Sequence, residues 1–431
     1  MKKKYAIFTL ITFILLVTTF AYFITLKQNN VYKENIENNQ TKITKGISMN
    51  LEQTAGAGDY KTVTQSGWPT EGYKFNSELS RCENGSTLSW DDTKKAVIVS
   101  GNLSDKCYVY FDIWIPTIAD YCTSGTDLAT CVKNFGDQGV DVSNIYIHDS
   151  SLTNGAEDNS YRYAGPSESV NNFVCFGTNE SPCPTDNLYR IIGVIDGKVK
   201  LIKCDYMTIE EIGKNGAYAA TADKLGNNEF YKGENKTLSL IGAYFWNYTE
   251  TSGGINTWST SSLNKINLNT NYINNIGTEW SNKIATTTWK VGGNAETNII
   301  NVVPMVAYAN EIKNPDATNS DDNATTYDAK VGLMYVSDYS FAACPEAWTL
   351  MINSYDNTIA ISSNWMYMGL YEWTISRDSS SNYIAFNIDK TGAVMRSACG
   401  YNYAIRVTFN LNSSVSYVSG AGTQSDPIRI N

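Results

Sequence analysis

The sequence predicts an α+β chain built in pieces: an N-terminal transmembrane helix, a small β-rich module and one large C-terminal domain. Three observations carry this expectation. A 22-residue uncharged apolar run, Tyr5–Leu26, follows Met1-Lys2-Lys3-Lys4. Short strand-like runs separated by frequent turn residues fill 46–113. Beyond 143, a hairpin and several later strands stand beside one amphipathic helix, the mixture of an α+β domain. The 431 residues allow two or three domains, and 42% hydrophobic residues suffice for their cores.

Taken in order, the apolar run matches the roughly 20 residues needed to cross a bilayer. The leading lysines hold its start in the cytoplasm, leaving everything after Lys27 outside. The expected location is the cell membrane, by a single N-terminal pass over residues 1–27 with extracellular domains. Cleavage near Thr18-Thr19-Phe20-Ala21 would instead make the chain secreted. Residues 28–45 are polar and mixed in charge, a stalk. In the 46–113 module, turn signals at Gly56, Gly58-Asp59, Trp68-Pro69, Glu83-Asn84-Gly85 and Gly101-Asn102 separate strand-like runs at 96–99 and 107–111.

Residues 114–142 read as a helical connector, with Ile118, Cys122, Leu128, Cys131, Val132 and Phe135 at helical spacing and Gly136 ending the pattern. The large domain, 143–431, holds a hairpin over Tyr189–Lys203 turning at Asp196-Gly197. Behind Ser261 and Ser262, Leu263, Ile266, Ile273, Ile276, Trp280 and Ile284 define one helix with an interruption at Gly277. Strands are expected over 330–336, 384–388, 393–396, 403–411 and 428–430.

Charge narrows the function. Of 33 basic residues three precede the apolar run, so the remainder, with 43 acidic residues, carries a net charge of −13. An acidic exterior argues against nucleic acid and anionic lipid as partners. A single histidine excludes a His-rich zinc centre. Richness in Asn and Tyr is also what an AT-rich genome produces.

Outside the membrane, disulfides are permitted. Proximity among the nine cysteines suggests Cys82–Cys107, Cys122–Cys131, Cys175–Cys183 and Cys344–Cys399, with Cys204 left over. A continuous helix would hold Cys122 and Cys131 about 13 Å apart, too far for a bond, so Ser124-Gly125 must break it. No C-x-x-C pair indicates zinc. Cys204 with His148 could form a thiol dyad; the plainer reading puts Cys204 in a core and His148 in a surface or hydrogen-bonding role. Asp316, Asp321, Asp322 and Asp328 place hard oxygen ligands in one loop, so Ca²⁺ is the one cofactor the sequence admits, against a solvated loop otherwise. Trp365, Tyr367, Tyr371 and Trp373 cluster in a Gly- and Ser-flanked stretch, either a ligand-stacking surface or core.

The strings Ile147-His148-Asp149-Ser150, Asp158-Asn159-Ser160-Tyr161-Arg162-Tyr163, Asn171-Asn172-Phe173-Val174-Cys175-Phe176-Gly177 and Tyr189-Arg190-Ile191-Ile192-Gly193 resemble a group of Firmicute cell-surface proteins. Gly332–Tyr339, Glu372–Ser376, Arg406-Val407, Ser419–Thr423 and Asp426–Ile428 continue the likeness, which spans about Asn144 to Asn431. The resemblance implies a C-type-lectin-like C-terminal domain, in the branch shared with formylglycine-generating enzymes and phage tropism determinants. The Glu-Pro-Asn, Gln-Pro-Asp and Trp-Asn-Asp strings that place Ca²⁺ in sugar-binding lectins are absent, and Glu372-Trp373-Thr374 does not replace them. No motif around Cys344 and Cys399 matches the reactive pair of the enzymes.

The expected function is a non-catalytic, adhesin-like ectodomain that binds an extracellular protein or glycan. A cell-wall hydrolase using carboxylates or Cys204, and a structural envelope component, are the alternatives. Fold raises the case for binding only by analogy.

Overall fold

The computed structural model describes residues 46–431 apart from 65, 66, 70, 103, 104, 226–228, 234–236, 251, 252, 316–323 and 357–361. The chain divides into two compact units after Ile115.

In the first unit, the strand Cys107–Ile113 lies at the centre of a five-stranded sheet. It pairs in parallel with Ile47–Glu52 and antiparallel with Tyr73–Phe75 and Arg81–Cys82. Alternation along it buries Cys107, Val109 and Phe111. The separate hairpin Thr87–Asp91/Ala96–Ser100 supplies Trp90 and Val97 to the same core. Trp68, Phe75 and Trp90 surround the Phe111 ring at 5.9, 5.9 and 5.7 Å. Cys82 and Cys107 are direct cross-strand partners with Cα atoms 4.0 Å apart, the close spacing of a pair that exchanges no hydrogen bonds, and they form a disulfide.

The second unit is organised around a seven-stranded sheet in which every pairing is antiparallel. Its central hairpin joins Leu188–Ile195 to Lys198–Lys203 across Asp196 (φ +50°) and Gly197 (φ +73°). Two positive φ angles give the turn whose twist matches the flanking strands. Leu188–Val194 is buried throughout, so this strand is covered on both faces. At Gly193 a Cβ would meet the Tyr161 carbonyl oxygen at 2.2 Å, so glycine is what lets the neighbouring strand approach. The helix Leu128–Gly136 turns Leu128, Cys131, Val132 and Phe135 into this core, and the Asp127 carboxylate accepts from the Thr130 N–H at its start.

The expectation of an α+β, C-type-lectin-like domain behind a transmembrane helix is corrected by these observations. Strand outweighs helix, 31% to 22%, and is spread over seven sheets among the described residues. No helix among the described residues is long and apolar enough to cross a membrane. The apolar run Tyr5–Leu26 and the stalk 28–45 lie outside the described residues. The expected long helix is two pieces, a π-wound Leu263–Tyr272 running into Ile273–Ser281. Gly277, at φ 76° and ψ 170°, breaks the second. The expected strand 330–336 pairs only at Val331–Gly332, and Val336–Phe341 is a helix. That helix is buried at all six positions, so it leaves no apolar periodicity to read.

Cys122–Cys131 and Cys175–Cys183 also form disulfides, with Cα atoms 5.1 and 5.9 Å apart. The fourth expected bond does not exist. Cys399 is buried at the end of the strand Val394–Ala398, donating its N–H to the Tyr383 carbonyl. Cys344 is half-buried before the short helix Pro345–Thr349, donating to the Ser363 carbonyl. Each thiol is fixed in a separate backbone setting.

Several of the many asparagines act as loop clamps. Asn256 is buried and donates from its side-chain amide to the carbonyls of Asp378, Ser381 and Ile384. Asn267 donates to those of Ile212 and Asn215. An amide that satisfies several loop carbonyls lets irregular backbone be buried.

Candidate functional site

The aromatic stretch 365–373 divides between core and surface. Trp365, Tyr367 and Trp373 are buried, which corrects their reading as a ligand face. Each spends its polar atom inside: Trp365 Nε1–H donates to the Tyr163 carbonyl, Trp373 Nε1–H to that of Tyr244, and the Tyr367 hydroxyl to that of Lys390. Tyr371 is only half-buried and stacks on Tyr403, with centroids 5.0 Å apart and planes 21° apart. Tyr401 extends the row, 6.2 Å from Tyr403 and within 5° of parallel. Trp373 lies beneath Tyr403 at 4.6 Å.

The backbone explains the row. Tyr401 closes the turn after the strand Val394–Ala398, its N–H donating to the Ala398 carbonyl, and Tyr403 follows in the short strand Asn402–Tyr403. Ala404 N–H donates to the Tyr371 carbonyl, bringing the second segment alongside. The Tyr403 hydroxyl is 3.0 Å from Ser397 Oγ, which also accepts from Asn387 Nδ2 at 3.0 Å. Tyr401 is 57% exposed. The result is a row of flat apolar faces with hydroxyl edges, one end open to solvent.

The acidic loop contributes one described residue. Asp328 lies in the strand Thr326–Ala329 and accepts a hydrogen bond from the Thr288 hydroxyl at 2.6 Å across the hairpin. Asp316, Asp321 and Asp322 lie outside the described residues. Among the described residues no group of three His, Cys, Asp or Glu side chains is placed to hold a metal ion.

Cys204 and His148 occupy different surroundings. His148 is wholly buried against Phe341 and Trp348, its ring centroid 4.8 and 5.2 Å from theirs, and its Nδ1 accepts from the Ala156 N–H at 2.9 Å. Burial, reinforced by Arg162, pushes its pKa down to about 3. Cys204 lies beside Arg190, Asp205 and Arg406, and burial raises its thiol. The charges that act on His148 are those of Arg162 and Asp158, neither of which is among the groups beside Cys204. Arg406 itself grips Glu372 through two bonds of 2.8 and 2.9 Å, both residues fully buried.

Among the described residues, a buried gathering of charge joins four segments. Arg162 meets Asp158 at 2.8 Å and Asp338 at 3.6 Å, and Lys200 Nζ meets Asp338 at 2.5 Å. Burial opposes ionisation of Asp158, but Arg162 and the hydroxyls of Ser160 and Tyr308 outweigh it and hold its pKa well below the usual range. The Glu311 carboxylate accepts from the N–H groups of Val336 and Ser337, each at 3.0 Å, and from the Ser376 hydroxyl. Burial pushes Glu311 up and Lys200 down. Spacing held no signal for this cluster: Lys200 is one of three lysines in the hairpin strand Lys198–Lys203 and alternates with Val199 and Leu201 as a surface lysine would.

No protein-family model, curated protein or solved structure matches the chain.

Proposed function

We propose that this chain is an exported binding protein and that the row Tyr371–Tyr403–Tyr401 is its contact surface for a neutral glycan. The observation that carries the reading is the near-parallel stack of three tyrosines ending on a ring that is 57% exposed. Sugar rings offer an apolar C–H face and a polar edge, and an amphipathic ring such as tyrosine complements both. A chain of net charge −10 disfavours anionic ligands and leaves a neutral one unopposed. Export is supported by the apolar run after Met1-Lys2-Lys3-Lys4 and by three disulfides. The motif strings at 147–150, 158–163, 171–177 and 189–193 point to a Firmicute cell surface as its setting.

The ionisable groups support binding over catalysis in this reading. Glu372, Arg406, Asp338 and Lys200 are each committed to a buried partner. The test is a glycan array probed with the wild-type protein, Tyr401→Ala and Tyr371→Ala. A specific signal weakened by both substitutions is expected. A signal indifferent to both, or binding confined to a parallel protein array, would remove the glycan reading.

A further inference from the structure

One flank of the tyrosine row carries a carboxylate that the fold fixes through a single oxygen. The strand pairing runs Trp373↔Asn387 and Glu372↔Ile388, and one further step sets Tyr371 opposite Asp389. The parallel bridge Glu372↔Ala404 sets Tyr403 beside Tyr371 on the other flank. Tyr403, Tyr371 and Asp389 are therefore lateral neighbours across three segments, and side chains at such positions share a face. The electrostatics agree with the register. Burial first and the Asp389 charge second raise the pKa of Tyr371. Burial is also the largest cause of the rise at Tyr403, and Asp389 is among the charges that add to it.

The Asp389 Oδ1 accepts from the Thr391 N–H and hydroxyl, each at 2.7 Å, and from the Ala393 N–H at 3.1 Å. These bonds shape the turn between the strands Ile384–Ile388 and Val394–Ala398. Its Oδ2 accepts no hydrogen bond from a described residue, and Asp389 itself is only half-buried. The turn needs the first oxygen. No described residue uses the second.

An aromatic face cannot satisfy a sugar by its C–H groups alone. Hydroxyls at the rim of that face lose water as the sugar docks, and each then needs an acceptor. The Tyr403 hydroxyl is already engaged with Ser397 Oγ. A carboxylate oxygen held in place by its partner oxygen accepts strongly and loses little freedom in doing so. We propose that Asp389 is the polar half of this site, its Oδ2 accepting from one free hydroxyl of a neutral pyranose stacked on the tyrosines. The inference rests on the glycan reading of the row and adds its selectivity. The sugar it takes has an unsubstituted hydroxyl beside the stacked face. Derivatives that are deoxy, methylated or acylated there are rejected, because they leave Oδ2 without its donor.

The test is saturation-transfer NMR on the full chain and on Asp389→Asn and Tyr401→Ala. The probes are methyl glycosides of the neutral hexoses and N-acetylhexosamines, with their monodeoxy derivatives. Asn keeps an oxygen for Thr391 and Ala393 but replaces Oδ2 with an N–H donor, so the turn is retained. One parent glycoside should bind wild type, and one of its monodeoxy derivatives should bind about 10- to 100-fold more weakly. Asp389→Asn should weaken the parent by a similar factor and no longer distinguish it from that derivative. Binding that depends on Tyr401 while Asp389→Asn keeps both affinity and discrimination would overturn this proposal and leave the glycan reading standing. Wild type that discriminates against no deoxy derivative would overturn it equally, without reliance on any variant. Absence of binding to every glycoside would remove the glycan reading and this inference with it.

Discussion

Replacing His148 with Asn makes a sharp test of the interior, because it is the only histidine in the chain. The imidazole is buried and neutral, with its pKa pushed down to about 3 from an ordinary 6.5. Its folded pKa is therefore below its unfolded value, and the unfolded chain takes up the proton first as pH falls. Stability from this group is intact above about pH 6.5 and is lost progressively toward pH 3. At pH 5 the loss is about 2 kcal/mol, reaching on the order of 4–5 kcal/mol near pH 3. An Asn oxygen can still accept from the Ala156 N–H but carries no titrating proton. Urea midpoints from pH 7 to pH 4 should fall more steeply for wild type than for His148→Asn. The single imidazole signal in the NMR spectrum should not titrate above pH 4 in the folded protein. A native imidazole titrating near 6.5, or parallel pH profiles for the two proteins, would refute the reasoning.

Other perturbations have equally definite outcomes. Glu372→Ala leaves the Arg406 guanidinium buried without its carboxylate, and thermal unfolding should report a loss of about 3 kcal/mol. Replacing both Cys82 and Cys107 by Ala should destabilise the first unit by about 3 kcal/mol, read as a lower urea midpoint there. Gly193→Ala forces a methyl group against the Tyr161 carbonyl, and a loss of about 2 kcal/mol or more should appear in urea denaturation.

What could be read from the residues is what depends on near neighbours. Asp196-Gly197 announces its turn because only certain residues accept two positive φ angles. Gly277 announces the helix break for a related reason. Cys122–Cys131 closes a short loop, so proximity in sequence and in space coincide. Cys344 and Cys399 are 55 positions apart, and proximity there was no guide. Lys200 lies more than a hundred residues before Glu311 and Asp338, a convergence that no local pattern encodes. The aromatic stretch failed for a different reason: amphipathic rings serve core and surface alike, and only the sheet decides which way Trp373 and Tyr371 point. Tyr401 and Tyr403 were passed over because one closes a turn and the other lies in a two-residue strand, which leaves no period to read. Strands of two or three residues are too short to show a period, so the β-rich character was understated.

The account's central claim is that the tyrosine row holds a glycan. Isothermal titration with the strongest array ligand should compare wild type, Tyr401→Ala and Tyr383→Ala, the last an exposed tyrosine outside the row. Loss of one stacking ring at about 1–1.5 kcal/mol corresponds to roughly tenfold weaker binding for Tyr401→Ala, with Tyr383→Ala unchanged. Equal affinity in all three proteins would contradict the claim.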